Sequence, residues 1–145
     1  MALWQYTFYI LPGGFDERMR FENSGEGFDD SQYWLPKKIK SSFFESIRIF
    51  LPERRSWSKN IVLYGNQDSN CVEVLLKEGV VESVSFRLDF ISDYFNIVQK
   101  IIDFCIMNNL VLLDEDLKIV QLDMNEIQEL INNSPQFKQY KDLTK

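Results

Sequence analysis

Histidine does not occur anywhere in the 145 residues. That absence excludes Ser–His–Asp and Cys–His catalysis, a histidine general base and any histidine-ligated metal. Cysteine occurs only twice, too few for a zinc site or a disulfide framework. Cys71 and Cys105 sit in apolar patterns that suit buried, reduced thiols. No apolar run approaches the length of a membrane span. The N-terminal stretch Met1–Leu11 stops at Pro12-Gly13-Gly14 and lacks the basic start of a signal peptide, so the expected compartment is the cytoplasm. Gly13-Gly14 and Gly25-Glu26-Gly27 have neither a P-loop lysine nor the spacing of a dinucleotide fingerprint, and no cofactor is expected. Internal repeats, low-complexity tracts and linkers are also missing, which points to one domain.

Hydrophobic residues make up 45% of the chain and charged residues 26%, with 12 Phe, 6 Tyr and 3 Trp. A chain of this size buries roughly 70% of its unfolded surface, enough for a core without staples. The net charge of −6 argues against binding nucleic acid, but its sign is unevenly spread. From Pro36 to Lys59 seven cations (Lys37, Lys38, Lys40, Arg48, Arg54, Arg55, Lys59) face two carboxylates (Glu45, Glu53), which leaves the remainder at −11. This segment reads as a solvated helix face, or more sharply as an electropositive stripe for an acidic partner or an internal clamp.

Leu3–Leu11 alternates as a strand, with Trp4, Tyr6, Phe8 and Ile10 on one face. Phe15–Trp34 is polar and acidic without a clear period and is expected to be a long loop with a short helix. Pro36–Leu51 is expected to be a helix with Ile39, Phe43, Ile47 and Phe50 in one stripe. Ile61–Tyr64 reads as a short strand, and Cys71–Leu76 with Val80–Phe90 as a hairpin. A two-residue turn there sets Val72 and Val74 opposite serines. A three-residue loop Lys77-Glu78-Gly79 instead pairs Leu76 with Val80, Val74 with Glu82 and Val72 with Val84. The polar face then carries Glu73, Ser83, Ser85, Arg87 and Asp89, and Glu82 is the one charge on the apolar side.

A helix from about Asp93 to Asn108 follows, with Ser92 as its cap and a stripe of Phe95, Val98, Ile102 and Cys105. Asn108-Asn109 suits a left-handed C-cap. Leu110–Leu113 and Lys118–Gln121 form a second hairpin around Asp114-Glu115-Asp116. Asp123-Met124-Asn125-Glu126 is a capping box that opens a helix to about Asn132, and Ser134-Pro135 starts a last one whose Phe137 and Tyr140 dock back. The fold class is therefore α+β: a mainly antiparallel sheet, a long central hairpin, and helices packed on its apolar face.

Three groups could carry function. Arg87 and Asp89 beside Glu73 and two serines form an Arg–carboxylate cluster or a solvated sheet face; the serines have no base to activate them. Asp114, Glu115 and Asp116 lack the spread of ligands that an EF-hand needs and suit a polar turn. Asp29, Asp30, Tyr33 and Trp34 combine acid and aromatic groups, as interface hot spots do, or else anchor a surface loop.

The layout from Val62-Leu63-Tyr64-Gly65 through Val72-Glu73-Val74, Val81-Glu82-Ser83-Val84 and Arg87-Leu88-Asp89 to Asn133-Ser134-Pro135 and Tyr140 resembles small bacterial proteins. Some of these look like immunity proteins of polymorphic toxin systems. The resemblance spans a little over half the chain and implies a fold more than a function. An immunity role suits a small acidic chain without catalytic groups, and the leading expectation is a non-catalytic module that binds and occludes a toxin with a basic domain. Asp29, Asp30, Tyr33, Trp34, Arg87, Asp89, Asp114, Glu115 and Asp116 are the expected partner contacts, being polar or aromatic groups the core does not need. The competing expectations are a carboxylate–arginine enzyme on the sheet face and a self-associating protein with an exposed sheet edge.

Overall fold

The computed structural model describes residues 5–14, 21 and 28–144. Trp4, Glu22, Gly25-Glu26-Gly27 and most of the expected Phe15–Trp34 loop lie outside them. The chain forms β1 (Gln5–Pro12), α1 (Ser31–Trp34), two 3₁₀ segments (Leu35–Lys37 and Ser41–Ile49), β2 (Glu53–Arg54), β3 (Ile61–Gly65), β4 (Cys71–Lys77) and β5 (Val80–Asp89). Then come α2 (Phe95–Met107), β6 (Leu110–Leu113), β7 (Ile119–Val120), α3 (Met124–Asn132) and α4 (Pro135–Leu143). The strands make one antiparallel sheet in the order β2-β3-β4-β5-β1-β6-β7, with the long hairpin β4–β5 at its middle. This is the α+β architecture that alternation and capping imply.

One face carries Tyr64, Val72, Val74, Val84, Phe86, Leu88, Tyr6, Phe8, Ile10 and Leu112, all buried. The helices complete that core through Val98, Ile101, Ile102 and Cys105 of α2 and Ile127 and Ile131 of α3. Phe90 meets Phe137 and Tyr140 of α4, with ring centroids 5.3 and 5.9 Å away. Both thiols are buried, which pushes Cys71 up to about 11 and Cys105 to about 12 and keeps them protonated at neutral pH.

The hairpin corrects the expected register. Glu78 and Gly79 both have positive φ, so the turn has two residues and pairs Lys77 with Val80 and Leu76 with Val81. A bulge then shifts the register: Leu75 lies opposite Ser83 and Glu82 is the extra residue. The bulge resolves the conflict that disfavoured a two-residue turn. It buries Val81 before the shift and Val84, Phe86 and Leu88 after it, and pairs Val74 with Val84 and Val72 with Phe86.

The expected helix over Pro36–Leu51 is also corrected. Lys38 adopts a left-handed conformation that stops the first 3₁₀ segment, and the second buries Phe44 and Ile47, not a four-residue stripe. Ser92 does not cap α2: its hydroxyl donates to the Asp89 carbonyl, and Tyr94 is the residue before the helix. Asp123 accepts the Asn125 N–H as expected, but its own N–H donates to the Gln121 carbonyl, so the box is half made. Asn109 is left-handed, as its position predicts.

Candidate functional site

Strand β1 belongs to two neighbours in turn. Gln5–Tyr9 pairs with β5, whereas Tyr9–Pro12 pairs with β6. The sheet therefore forks at Tyr9, and each branch exposes backbone groups that need partners. On one side, the first half of β5 has lost β1. There Asp30 fills the gap: its carboxylate accepts the Ser83 hydroxyl at 2.7 Å and the Val84 N–H. The Ile39 carbonyl takes the Val81 N–H at 2.8 Å. Trp34, fully buried against Phe44, donates its indole N–H to the Ile10 carbonyl at 2.9 Å.

On the other side, the first half of β1 has no β6 beside it. Glu115, in the β6–β7 turn, accepts the Thr7 N–H through Oε1 at 3.2 Å. The Glu115 N–H in turn donates to the Tyr6 hydroxyl at 3.1 Å. The two acidic segments singled out in the sequence thus perform one structural task on opposite sides of a fork. Tyr9 stands at the branch point; burial raises its pKa above the usual tyrosine value, and the charges of Asp30 and Glu115 add to the rise.

Most of the expected contact residues are spent inside the fold. Asp30 is 6% exposed, and burial pushes its carboxyl from 3.8 up to about 6 against the lowering effect of its hydrogen bonds. Tyr33 packs edge-on to Phe21 at 5.3 Å, and Trp34 is out of a partner's reach. Asp29 is exposed and accepts the Ser31 N–H at 3.1 Å. Arg87 is ion-paired with Glu73 across the hairpin, and Gln67 donates to the same Glu73 oxygen. Asp89 is buried, takes the Ile91 N–H at 3.0 Å and gives its own N–H to Asn70. Asp114 is buried and accepts the N–H groups of Asp116 and Lys118 at 2.8 and 3.0 Å, which shapes the turn.

Glu115 and Asp116 behave differently, because they face a cleft. It is a concavity of about 580 Å³ between the β6–β7 turn, α3 and the α3–α4 junction. Besides Tyr6, its walls are Glu115, Asp116, Glu126, Glu129, Leu130 and residues 133–136. Among the described residues, four carboxylates line it and no lysine or arginine does. Gln136 donates to Glu115 Oε2, while its own carbonyl Oε1 is shielded from solvent and has no hydrogen-bond partner among the described residues. The described walls are thus rich in acceptors, chiefly the four carboxylates. Such a concavity suits a cationic, donor-rich side chain more than a neutral ligand. No group of carboxylates and thiols among the described residues is arranged to hold a metal ion.

No protein-family model, curated protein or solved structure matches this chain.

The cleft unites Glu115 and Asp116 with Glu126 and Glu129, which the reading of the sequence passed over. Glu126 was absorbed by the capping box. The spacing Glu126, Glu129, Asn133 places three polar groups along one helix face, flanking the buried Ile127 and Ile131, and that periodicity was available as a signal. Glu73, Glu82, Arg87 and Asp89, the groups a carboxylate–arginine enzyme would use, do not line this cleft. No helix among the described residues is long and apolar enough to cross a membrane.

Proposed function

We propose that the chain is a non-catalytic protein-binding module, an immunity protein that receives a basic side chain of a cognate toxin in the acidic cleft. The observation that carries this reading is the cleft itself: among the described residues, four carboxylates converge on one concavity and no lysine or arginine lines it. A lysine or arginine entering it would exchange water for charge-assisted hydrogen bonds. Glu126 and Glu129 are exposed, so they attract a basic partner at long range and raise its rate of encounter. The layout of Val62–Tyr140 resembles small bacterial proteins, some of which look like immunity proteins of polymorphic toxin systems, and this fits the same class of partner.

The test is co-expression with the product of the adjacent gene, followed by affinity measurement on the purified pair. A complex is expected, with rescue of growth and an affinity that weakens as salt rises. Glu126→Gln with Glu129→Gln should weaken it at least tenfold while moving unfolding free energy by less than about 0.5 kcal/mol, because both side chains are exposed. Absence of both complex and rescue would sink the reading.

A further inference from the structure

The β2 edge of the sheet, remote from the cleft, carries a second charged surface of the opposite sign. Among the described residues, strand β2 pairs only with β3, which leaves its far side as an edge of the sheet. The sheet order puts β2 six strand spacings from β7, or roughly 29 Å. Along this edge a groove of about 470 Å³ holds Arg54, Arg55 and Lys59, with Trp57 among them. Trp57 is 79% exposed, whereas Trp34 is fully buried. Arg48 is already matched by Glu45 and Glu53, but Arg54, Arg55 and Lys59 have no ion-pair partner among the described residues.

The loop that presents Trp57 is fixed by its own hydrogen bonds. Ser56 Oγ donates to the Ile61 carbonyl at 2.7 Å and also reaches the Ser58 carbonyl. The Asn60 N–H donates to Ser58 Oγ at 3.1 Å, and the Asn60 carbonyl accepts the Leu76 N–H at 2.7 Å. With the backbone fixed in this way, only the Trp57 side chain has to be ordered on binding. Tryptophan and arginine are also the residue types that most often dominate interface energy.

We propose that this edge is a docking site for an acidic segment of a protein, with Trp57 as the apolar anchor and Arg54, Arg55 and Lys59 as its charge partners. Charge complementarity selects the occupant. Polyanions bind by neutralising many phosphates at once, and here three cations stand on a chain of net charge −6 with Glu53 lining the same groove. A protein segment with a few carboxylates around one apolar side chain matches three cations around one indole, and meets the repulsive remainder of the chain only at its ends. The site is independent of the acidic cleft, so a partner in one leaves the other open.

A fluorescein-labelled peptide of Glu and Asp with one central Leu, followed by anisotropy against the full chain, tests this. Saturable binding that weakens with salt is expected. Trp57→Ala should weaken it at least tenfold, and so should the triple variant Arg54→Ala, Arg55→Ala, Lys59→Ala. Lys100→Ala, an exposed cation on α2, should leave it unchanged. All these side chains are exposed, and unchanged unfolding midpoints confirm intact folding. The proposal is overturned by absence of saturable binding, by Trp57→Ala having no effect, or by Lys100→Ala weakening binding as much as the triple variant. It is equally overturned if a thymidine oligonucleotide of the same charge binds more tightly than the peptide.

Discussion

Asp30 and Glu115 do the same backbone work in different surroundings. Each is a carboxylate from an acidic loop that accepts an N–H left open where β1 changes partners: Val84 for Asp30, Thr7 for Glu115. Asp30 does so at 6% exposure with no cation bonded to it among the described residues; Glu115 does so half-buried at the rim of a wide cleft. The local sequences, Asp29-Asp30 and Asp114-Glu115-Asp116, do not announce this difference. It arises from what surrounds each branch of the fork: Asp30 directly precedes α1 with its fully buried Trp34, while Glu115, though bonded to Gln136 of α4, borders an open cleft. An acidic residue near an open strand edge is therefore drawn into the fold first, and only what remains faces a partner.

The Asp30 side of the fork is the place to break this comparison hardest. Trp34→Ala removes a fully buried indole and leaves the Ile10 carbonyl without its donor. A loss of about 3–5 kcal/mol is expected in denaturant unfolding. A loss under about 1 kcal/mol would mean that the fork does not depend on Trp34.

Asp30→Asn sharpens the comparison through pH. The folded carboxyl titrates near 6 and its ordinary value is 3.8, because burial disfavours the charge and the neighbouring Asp29 adds repulsion. A raised folded pKa contributes stability that is complete below the unfolded value and is lost as pH rises through the folded one. Between pH 3 and pH 7 that loss amounts to about 3 kcal/mol. Besides Asp29, which the Asn variant keeps, the described groups that act on Asp30 are Ser83 and Tyr9, which do not titrate in this window. The unfolding free energy of the Asn variant should therefore gain about 3 kcal/mol on the native chain across the window, by chemical denaturation at each pH. A constant difference would place Asp30 in contact with water.

Much of the frame was legible because periodicity and caps are local. The β6–β7 hairpin and the Asp123 and Ser134 caps follow from residues within a few positions of one another, and the local spacing of Phe137 and Tyr140 marks the α4 face that docks on Phe90. The β4–β5 register was not legible, because alternation without a bulge cannot bury both Val81 and Val84. Nor was the fork, since nothing near Tyr9 says that β1 exchanges β5 for β6 there. That one topological event decides the fate of most expected contact residues. Asp30 and Trp34 are consumed by it, while Asp114 shapes the turn that carries Glu115 to it. Only Glu115 and Asp116 were both foreseen and found facing the cleft.

Glu115→Ala should produce the smallest effect of the three on stability. It leaves the Thr7 N–H and the Gln136 amide without their acceptor, as loss of Asp30 would leave Val84 and Ser83. The difference is access. Water can enter the cleft and take the place of a half-buried carboxylate, so the cost should be near 1 kcal/mol and not the full penalty of an orphaned buried donor. The Thr7 amide should then exchange its hydrogen faster, while the Val84 amide keeps its protection. Equal acceleration at both amides would mean that the two branches of the fork open together, and the distinction between a closed side and an open one would lose its basis.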